Sequence, residues 1–439
     1  MCCSLAPARA RAGKRVTPDG GVDLASYMPV EVLTIGDELL LGFTVDTNGA
    51  YLARKLAEIG LRVIRRTSVG DDSQQIQSAV IEALDRSQRV ITTGGLGPTA
   101  DDRSKLAVAS VFGRDLVIDQ EHVAWMKDRW RTRFGREMPE SNMQQAALPR
   151  GATKLANKHG SAPGVFIEDE RGRWVAMLPG VPREMRGMTD DTLIPLLASR
   201  FPTGSVVRSR TIRTTGVAES LLGDQLATLT LPDAISLAYL PSVEGTDLRL
   251  TVNHVGRDAA DTGLAEAAKR IRRIVGDAVY GENDDDLAAV VLDLCRRQKH
   301  TIAVAESCTG GLLGARLTAV AGSSDVVLGG VIAYHDDVKR NMLGVSADDL
   351  SEHGAVSEPV ALQMARGARE RFGSTIALAI TGIAGPGGAT PDKPVGTVWI
   401  AVSVGGEGTA RRFSMIGDRD EIRRRSAQAA LELVRRRLR

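Results

Sequence analysis

The sequence predicts an α/β protein: two three-layer α/β domains with mostly parallel sheets, joined by a small α+β module. Three observations carry this. Short apolar, β-branched runs alternate with helical patterns across 28–200 and again across 286–439, the pattern of parallel sheets covered by helices on both faces. Between them, 201–285 reads as strands at Ser209 to Thr214, Ile235 to Leu240 and Asp247 to Asn253 with helices near Glu219 to Leu226 and Ala259 to Val275. A chain of 439 residues also suits about three domains of ordinary size.

Residues 1–27, rich in Ala, Arg and Gly and without an apolar signal core, read as a disordered extension, with Met28 as an alternative start. Glu31 to Ile35 is then a strand, Gly36-Asp37-Glu38-Leu39-Leu40-Leu41-Gly42 a loop, and Asp46 to Ile59 a helix. A second strand, Leu61 to Ile64, leads through Val69-Gly70-Asp71-Asp72 into a helix near Ser73 to Asp85. The third, Arg89 to Thr93, runs into Gly94-Gly95-Leu96-Gly97-Pro98-Thr99-Ala100-Asp101-Asp102. Gly95, Gly97 and Ala100 match a dinucleotide fingerprint in form. They follow the third strand rather than the first, however, and Asp101 and Asp102 put carboxylates where that fold would hold a bare pyrophosphate. Carboxylates beside an anion-binding loop suit a divalent cation that bridges them to phosphate oxygens. Asp37, Glu38, Asp46, Asp101 and Asp102 are the candidate ligands, and Gly94, Gly95 and Gly97 the ligand loop. Asp101 and Asp102 suit helix caps equally well.

The acidic run Glu282 to Asp286 closes the middle module, with Asp286 set to cap a helix over Leu287 to Arg297. Thr301 to Ala305 is a buried strand that delivers Glu306-Ser307-Cys308-Thr309-Gly310-Gly311 to a strand-to-helix turn. Ser307 is there either a nucleophile or an ordinary helix cap; Cys308 ranks below it. The Gly310 and Gly311 amides are candidates for an oxyanion site. A strand over Val326 to Ala333 ends near Tyr334, and Lys339 lies on the next turn. Ser357 caps a helix with Pro359 in its first turn and the core stripe Val360, Met364, Ala368 and Phe372. The strand Ile376 to Ile380 delivers Thr381-Gly382-Ile383-Ala384-Gly385-Pro386, and Gly396 to Val402 is the strand after it. Loops after successive parallel strands gather at one edge, so Ser307, Tyr334, Lys339 and Thr381 are expected to converge as a Ser/Lys hydrolase. To act as base, Lys339 needs a desolvated site with positive charge beside it.

Composition narrows the remainder. With 43% hydrophobic and 25% charged residues and a net charge of +2, no global field recruits nucleic acid or a membrane surface. Aromatics at 4% are too sparse for base-stacking platforms. No apolar run approaches the roughly 20 residues of a membrane span. Four scattered cysteines form neither a disulfide framework nor a zinc site and fit a reducing cytoplasm, and the six histidines lack metal-ligand spacing. Arg423 to Arg439 reads as a solvated helix face.

Ile35 to Leu40, Asp46-Thr47-Asn48, Val69 to Asp72, Gly94 to Asp102, Asn157 to Gly164 and Leu178-Pro179-Gly180-Val181-Pro182-Arg183-Glu184-Met185 resemble the MoaB/MogA-like, molybdopterin-binding-type domain of CinA (competence/damage-inducible) proteins. That resemblance implies a divalent-metal ADP-ribose pyrophosphatase, with Ser104 and Leu106 where the family usually has Thr and Glu. The middle segment resembles the family's KH-like module but lacks a GxxG loop flanked by basic residues, so RNA is not expected as a partner. Glu306 to Gly311, Tyr334 with Lys339, Ala355-Val356-Ser357 and Thr381 to Pro386 are similar to the CinA C-terminal, or PncC, family. This implies cofactor-free deamidation of nicotinamide mononucleotide to nicotinate mononucleotide and ammonia, in a cytoplasmic homodimer. Ser307, Tyr334 and Lys339 would be catalytic, and Glu306, Thr309, Gly310, Gly311, Thr381, Gly382 and Gly385 would contact substrate. A pyrophosphatase only, or a non-catalytic competence-related ligand sensor, are the alternatives.

Overall fold

The computed structural model describes residues 28–99, 101–204 and 206–439; the expected extension and Ala100 lie outside them. By compactness the chain divides into two units. One runs to Arg208 and takes in Asn253–Ala260; the other is Ser209–Val252 with Asp261–Arg439. No helix among the described residues is long and apolar enough to cross a membrane.

In the first unit the strands are β1 (Met28–Ile35), β2 (Leu61–Val69), β3 (Arg89–Thr93), β4 (Thr153–Leu155), β5 (Gly164–Glu168) and β6 (Trp174–Leu178), in the sheet order β2-β1-β3-β6-β5-β4. The first four are parallel, and β5 and β4 finish the sheet antiparallel. Helices α1 (Asn48–Glu58) and α2 (Ser73–Ser87) cover opposite faces because β1 alternates. Val30 and Val32 pack with Leu52 and Leu56, whereas Leu33 and Ile35 pack with Ile76, Val80 and Leu84. Asp72 starts α2 by accepting from the Gln74 and Gln75 amides. Helices α3 (Ser104–Val111) and α4 (Pro182–Met188) follow the two loops that face each other at the end of the sheet.

The middle module is a four-stranded sheet of β7 (Val206–Thr214), β8 (Ile235–Pro241), β9 (Thr246–Val255) and β10 (Val279–Glu282), in the order β8-β9-β7-β10.

The C-terminal domain places α5 (Leu287–Gln298), α6 (Leu312–Thr318), α7 (Asp336–Leu343), α8 (Glu358–Phe372) and α9 (Arg419–Arg437) around five strands. These are β11 (Ile302–Glu306), β12 (Val327–Ile332), β13 (Ile376–Gly382), β14 (Thr397–Val404) and β15 (Glu407–Ser414), ordered β12-β11-β13-β14-β15. β11 and β13 alternate large and small. Ile302, Val304, Ile376, Leu378 and Ile380 face α5 and α9, while Ala303, Ala305, Ala377 and Ala379 let α8 come close on the other side. Asp286 caps α5 through the Ala288 amide.

β14 runs antiparallel to β13, so its start, Thr397, lies at the edge where β13 ends. One expectation needs correction. Ser357 occupies the cap position of α8, but its hydroxyl turns back to donate to the Gly354 carbonyl at 2.8 Å and caps nothing.

Candidate functional site

The C-terminal edge of β11 is where the loops meet. Ser307 directly follows Glu306, and its amide donates to the Ile380 carbonyl on β13 at 2.9 Å. On the other flank the Ala333 amide donates to the Glu306 carbonyl at 2.7 Å, fixing the start of the Tyr334 loop beside the serine. Ser307, Tyr334 and Thr381 therefore leave three adjacent parallel strands at one edge. Ser307 is 8% exposed. Its neighbour Cys308 is no rival, since burial pushes that thiol up to about 12 and withholds the thiolate.

Lys339 sits on α7 rather than on a turn and is 1% exposed. Its ammonium donates to Asp336 Oδ1 at 3.0 Å and to the Tyr334 carbonyl at 3.3 Å. Burial is as expected, but the charge beside it is negative, not positive. The Tyr334 hydroxyl lies in the exposed mouth and accepts from Arg419 at 2.9 Å; the same guanidinium donates to the Gly385 carbonyl at 2.6 Å. Arg423 reaches the Thr309 carbonyl at 2.9 Å. No hydrogen bond joins Ser307, Tyr334 and Lys339 side chains to one another among the described residues. Arg419 and Arg423 are the residues that sequence reasoning missed. Arg423 had been assigned to a solvated face, yet the capping box of Asp418 and Glu421 sets the first turn of α9 against the site.

The glycine turn differs in detail from expectation. Glu306, 1% exposed, takes the Gly311, Leu313 and Gly314 amides at 3.1, 3.0 and 2.8 Å, so its carboxylate anchors the start of α6 instead of facing a substrate. A buried carboxylate is tolerated because three donors replace its water. Gly310 donates to the Ser307 carbonyl, so neither glycine amide is free to hold an oxyanion. Among the described residues the Thr309 amide donates to no backbone carbonyl, and the Cys308 amide meets only its own thiol. The Thr309 hydroxyl is buried without a partner, whereas that of Thr381 donates to the Ala355 carbonyl at 2.7 Å. Gly382 packs so closely on β14 that a Cβ would lie 2.7 Å from Val398 Cγ2. Gly385, at φ +78°, turns the chain so that its carbonyl meets Arg419.

In the first unit, the loop after β3 is held by reciprocal contacts. Gly94, at φ +114°, passes Ile35 so closely that a Cβ would lie 2.1 Å from its carbonyl oxygen, and Ser104 donates to the Gly94 carbonyl at 2.9 Å. The threonine-to-serine departure thus keeps its hydroxyl. Gly95 leaves room for that side chain. Asn48 ties the loop to the one after β6 by donating to Thr93 Oγ1 and the Gly180 carbonyl. The five carboxylates expected to share a cation do not converge. Asp102 accepts from the Gly97 amide at 2.7 Å and the Thr99 amide at 2.9 Å; Asp46 accepts from Gly49 at 2.8 Å. Asp102 therefore stabilises its own loop, whereas α3 starts at Arg103 without a side-chain cap. The Thr99 hydroxyl, chiefly, holds Asp101 below the ordinary carboxylate range. Asp37 and Asp71 exchange amide-to-carboxylate bonds of 3.1 and 3.2 Å. Burial, followed by the Asp37, Glu38 and Asp101 charges, raises Asp71 against the opposing Asp37 amide. Among the described residues no group of three or more His, Cys, Asp or Glu is arranged to hold a metal, so the donor set as positioned does not fit a divalent cation.

Lys105, beside this loop, is 6% exposed and donates to the Gln145 carbonyl at 2.6 Å. Burial pushes its ammonium down from 10.5 to about 8, with Asp102 partly opposing. A folded value below the unfolded one means that the charged form costs stability below pH 8, and the cost fades as pH rises from 8 toward 10.5. In full it is about 3 kcal/mol. Urea unfolding of wild type should therefore gain stability over that window relative to Lys105→Met; parallel curves would refute the assignment.

Comparison with known proteins gives three consecutive family matches. Residues 31–199 match the probable molybdopterin binding domain, 209–281 the damage-inducible protein CinA KH domain and 284–438 the CinA C-terminal domain. A CinA-like protein of Gemmatimonas aurantiaca is 57% identical over 411 residues, covering 93% of this chain and 96% of its own. One of Salinibacter ruber is 43% identical over 413 residues, covering 94% and 100%. Among solved structures, a competence/damage inducible protein of Agrobacterium tumefaciens shares 43% identity over 34% of this chain and 90% of its own, with a TM-score of 0.33.

Proposed function

Since this chain belongs to the CinA family, we propose that its C-terminal domain is an amidohydrolase that converts nicotinamide mononucleotide to nicotinate mononucleotide and ammonia. The observation that carries the reading is the Ser307 turn, pinned on both flanks at the sheet edge with the amides of Cys308 and Thr309 committed to no backbone carbonyl. Ser307 Oγ attacks the carboxamide carbon. Lys339, acting as the neutral amine at its buried position with Tyr334 at the exposed mouth, takes that proton, and it then passes to the departing ammonia. Water then releases the acyl-enzyme and regenerates the serine. The two amides beside the nucleophile receive the oxyanion, in place of Gly310 and Gly311. Asp336 and the Tyr334 carbonyl fix Lys339, and hydrogen bonds of a catalytic set commonly tighten only when substrate arrives. The glycine-rich loop after Gly382 offers amides to the nucleotide phosphate.

The test is direct: full-length protein, nicotinamide mononucleotide, EDTA present, with ammonia and nicotinate mononucleotide as readouts. Both products should accumulate in equal amounts. A well-folded protein that releases neither overturns the proposal.

Arg419 acts here as a positioning residue, joining the Tyr334 hydroxyl to the Gly385 loop. Arg419→Ala should lower kcat/KM by about 10- to 100-fold through misplacement of both groups. Arg419→Lys should restore little, because one ammonium does not reproduce a fork to two acceptors. Full rescue by lysine would reduce the role to charge alone.

A second reading, cleavage of an ADP-ribose-type pyrophosphate by the first domain, has one observation in its favour: Asp71 sits among the Asp37, Glu38 and Asp101 charges at the mouth of the glycine loop. A divalent cation would supply charge neutralisation there. Because the donors do not converge, no step is assigned to it.

A further inference from the structure

A cleft of about 830 Å³, bordered by only one of the five candidate carboxylates, Asp46, opens between α1 and the outer edge of the first sheet. From the helix and its cap residue it takes Thr47, the cap, with Ala50, Ala53 and Arg54, which share one face at helical spacing. From the edge strand it takes Val63, Ile64, Arg65 and Arg66, four consecutive residues. A regular strand would send these alternately to opposite faces. The pairing of β1 with β2 instead slips between Val30↔Val63 and Glu31↔Arg65, leaving Ile64 as an extra residue that redirects the strand. Gly49 assists: a Cβ there would lie 3.4 Å from the Arg66 stem. Arg186, on α4, completes the wall.

Four exposed guanidiniums thus line one cavity. None of them pairs with a carboxylate among the described residues. Arg54 and Arg186 lie over the Tyr51 ring, at 5.8 and 5.5 Å, and the nearby Asp190 is engaged by Lys55 and the Tyr51 hydroxyl instead. The one acid in the lining, Asp46, accepts from the Gly49 amide. Concentrating like charges without counter-charges costs the fold stability, and arginine forks are shaped for phosphate oxygens. Apart from Thr47, the rest of the wall, Val45, Val63, Ile64 and the two alanines, is apolar. Such a mixture suits a ligand with a polyanionic tail and a flat apolar body, and the volume falls in the range of small-molecule sites.

We propose that this cleft binds a nucleotide carrying a chain of two or more phosphates. Binding there requires neither the amidohydrolase nor the pyrophosphatase reading. The full-length chain is titrated calorimetrically with ATP and, separately, with inorganic triphosphate, both in EDTA so that no metal-dependent cleavage intervenes. ATP should bind, and Arg65→Ala/Arg66→Ala should weaken it at least tenfold with an unchanged thermal midpoint. Arg54→Ala/Arg186→Ala, drawn from the helices, should do the same and serves if the strand pair misfolds. Arg411→Ala, an exposed arginine of the C-terminal sheet, should leave it unchanged. Absence of ATP binding, or equal binding by both double variants and wild type, overturns the site; triphosphate binding as tightly as ATP overturns the nucleotide as its ligand.

Discussion

Ser307→Ala is expected to lower the rate of ammonia release from nicotinamide mononucleotide by about ten-thousand-fold or more, with the thermal midpoint unchanged. The size follows from the isolation of the nucleophile. The other hydroxyl of the turn, that of Thr309, is fully buried, and the adjacent Cys308 is held protonated by burial, its thiol near 12, so no neighbour takes over. Substrate affinity should change little, because the amides and loops around the serine keep their own bonds. A variant that retains a tenth of wild-type activity would remove Ser307 from the mechanism.

The largest stability effect is expected at Arg435. This guanidinium is fully buried, donates to Glu432 at 2.6 and 2.8 Å, and reaches the Asp277 and Val279 carbonyls. Arg435→Met should cost about 3–5 kcal/mol, because Glu432 then loses its buried counter-charge and the Asp277 carbonyl its donor, while Val279 keeps only the 3.4 Å bond from Arg439. Arg436 also holds Glu432, but from the half-exposed side, and does not replace the lost contacts. Arg435→Met/Glu432→Leu should recover part of the loss, since removing both partners leaves no uncompensated charge. Urea midpoints read by circular dichroism separate the cases. A double variant as unstable as the single one would mean that the carbonyls, not the ion pair, dominate.

Much of this architecture was legible where the code is local. The large–small alternation of Ile302 to Ala305 and Ile376 to Ile380 fixes two faces within five residues, and Asp72 and Asp286 mark helix starts by accepting from amides two or three residues ahead. The serine turn was legible for the same reason. The direction of β14 was also written in the chain. Two parallel neighbours need a long crossover, usually helical, and the segment between Gly382 and Thr397 carries Gly385, Pro386, Gly387, Gly388, Pro391 and Pro394, which form no helix. What stayed hidden is what joins distant positions. Nothing near Tyr334 indicates that Arg419 will meet its hydroxyl across 85 positions. Glu306 looked like a pocket acid because acids beside nucleophiles often are; only the fold reveals three amides aimed at it. The first-domain carboxylates mislead similarly, because backbone amides compete for the same oxygens.

Helix α9 has a consequence that no single contact expresses. Its 19 residues span about 28 Å. At one end Arg419 and Arg423 grip the tyrosine, the glycine loop and the threonine behind the serine. Midway, Gln428 donates to Thr215, and at the far end Arg435 is bolted to Asp277 and Val279. A stiff rod fastened at both ends transmits displacement instead of absorbing it. The small sheet that ends before Thr215 and carries Val279 is therefore mechanically coupled to the mouth around Ser307.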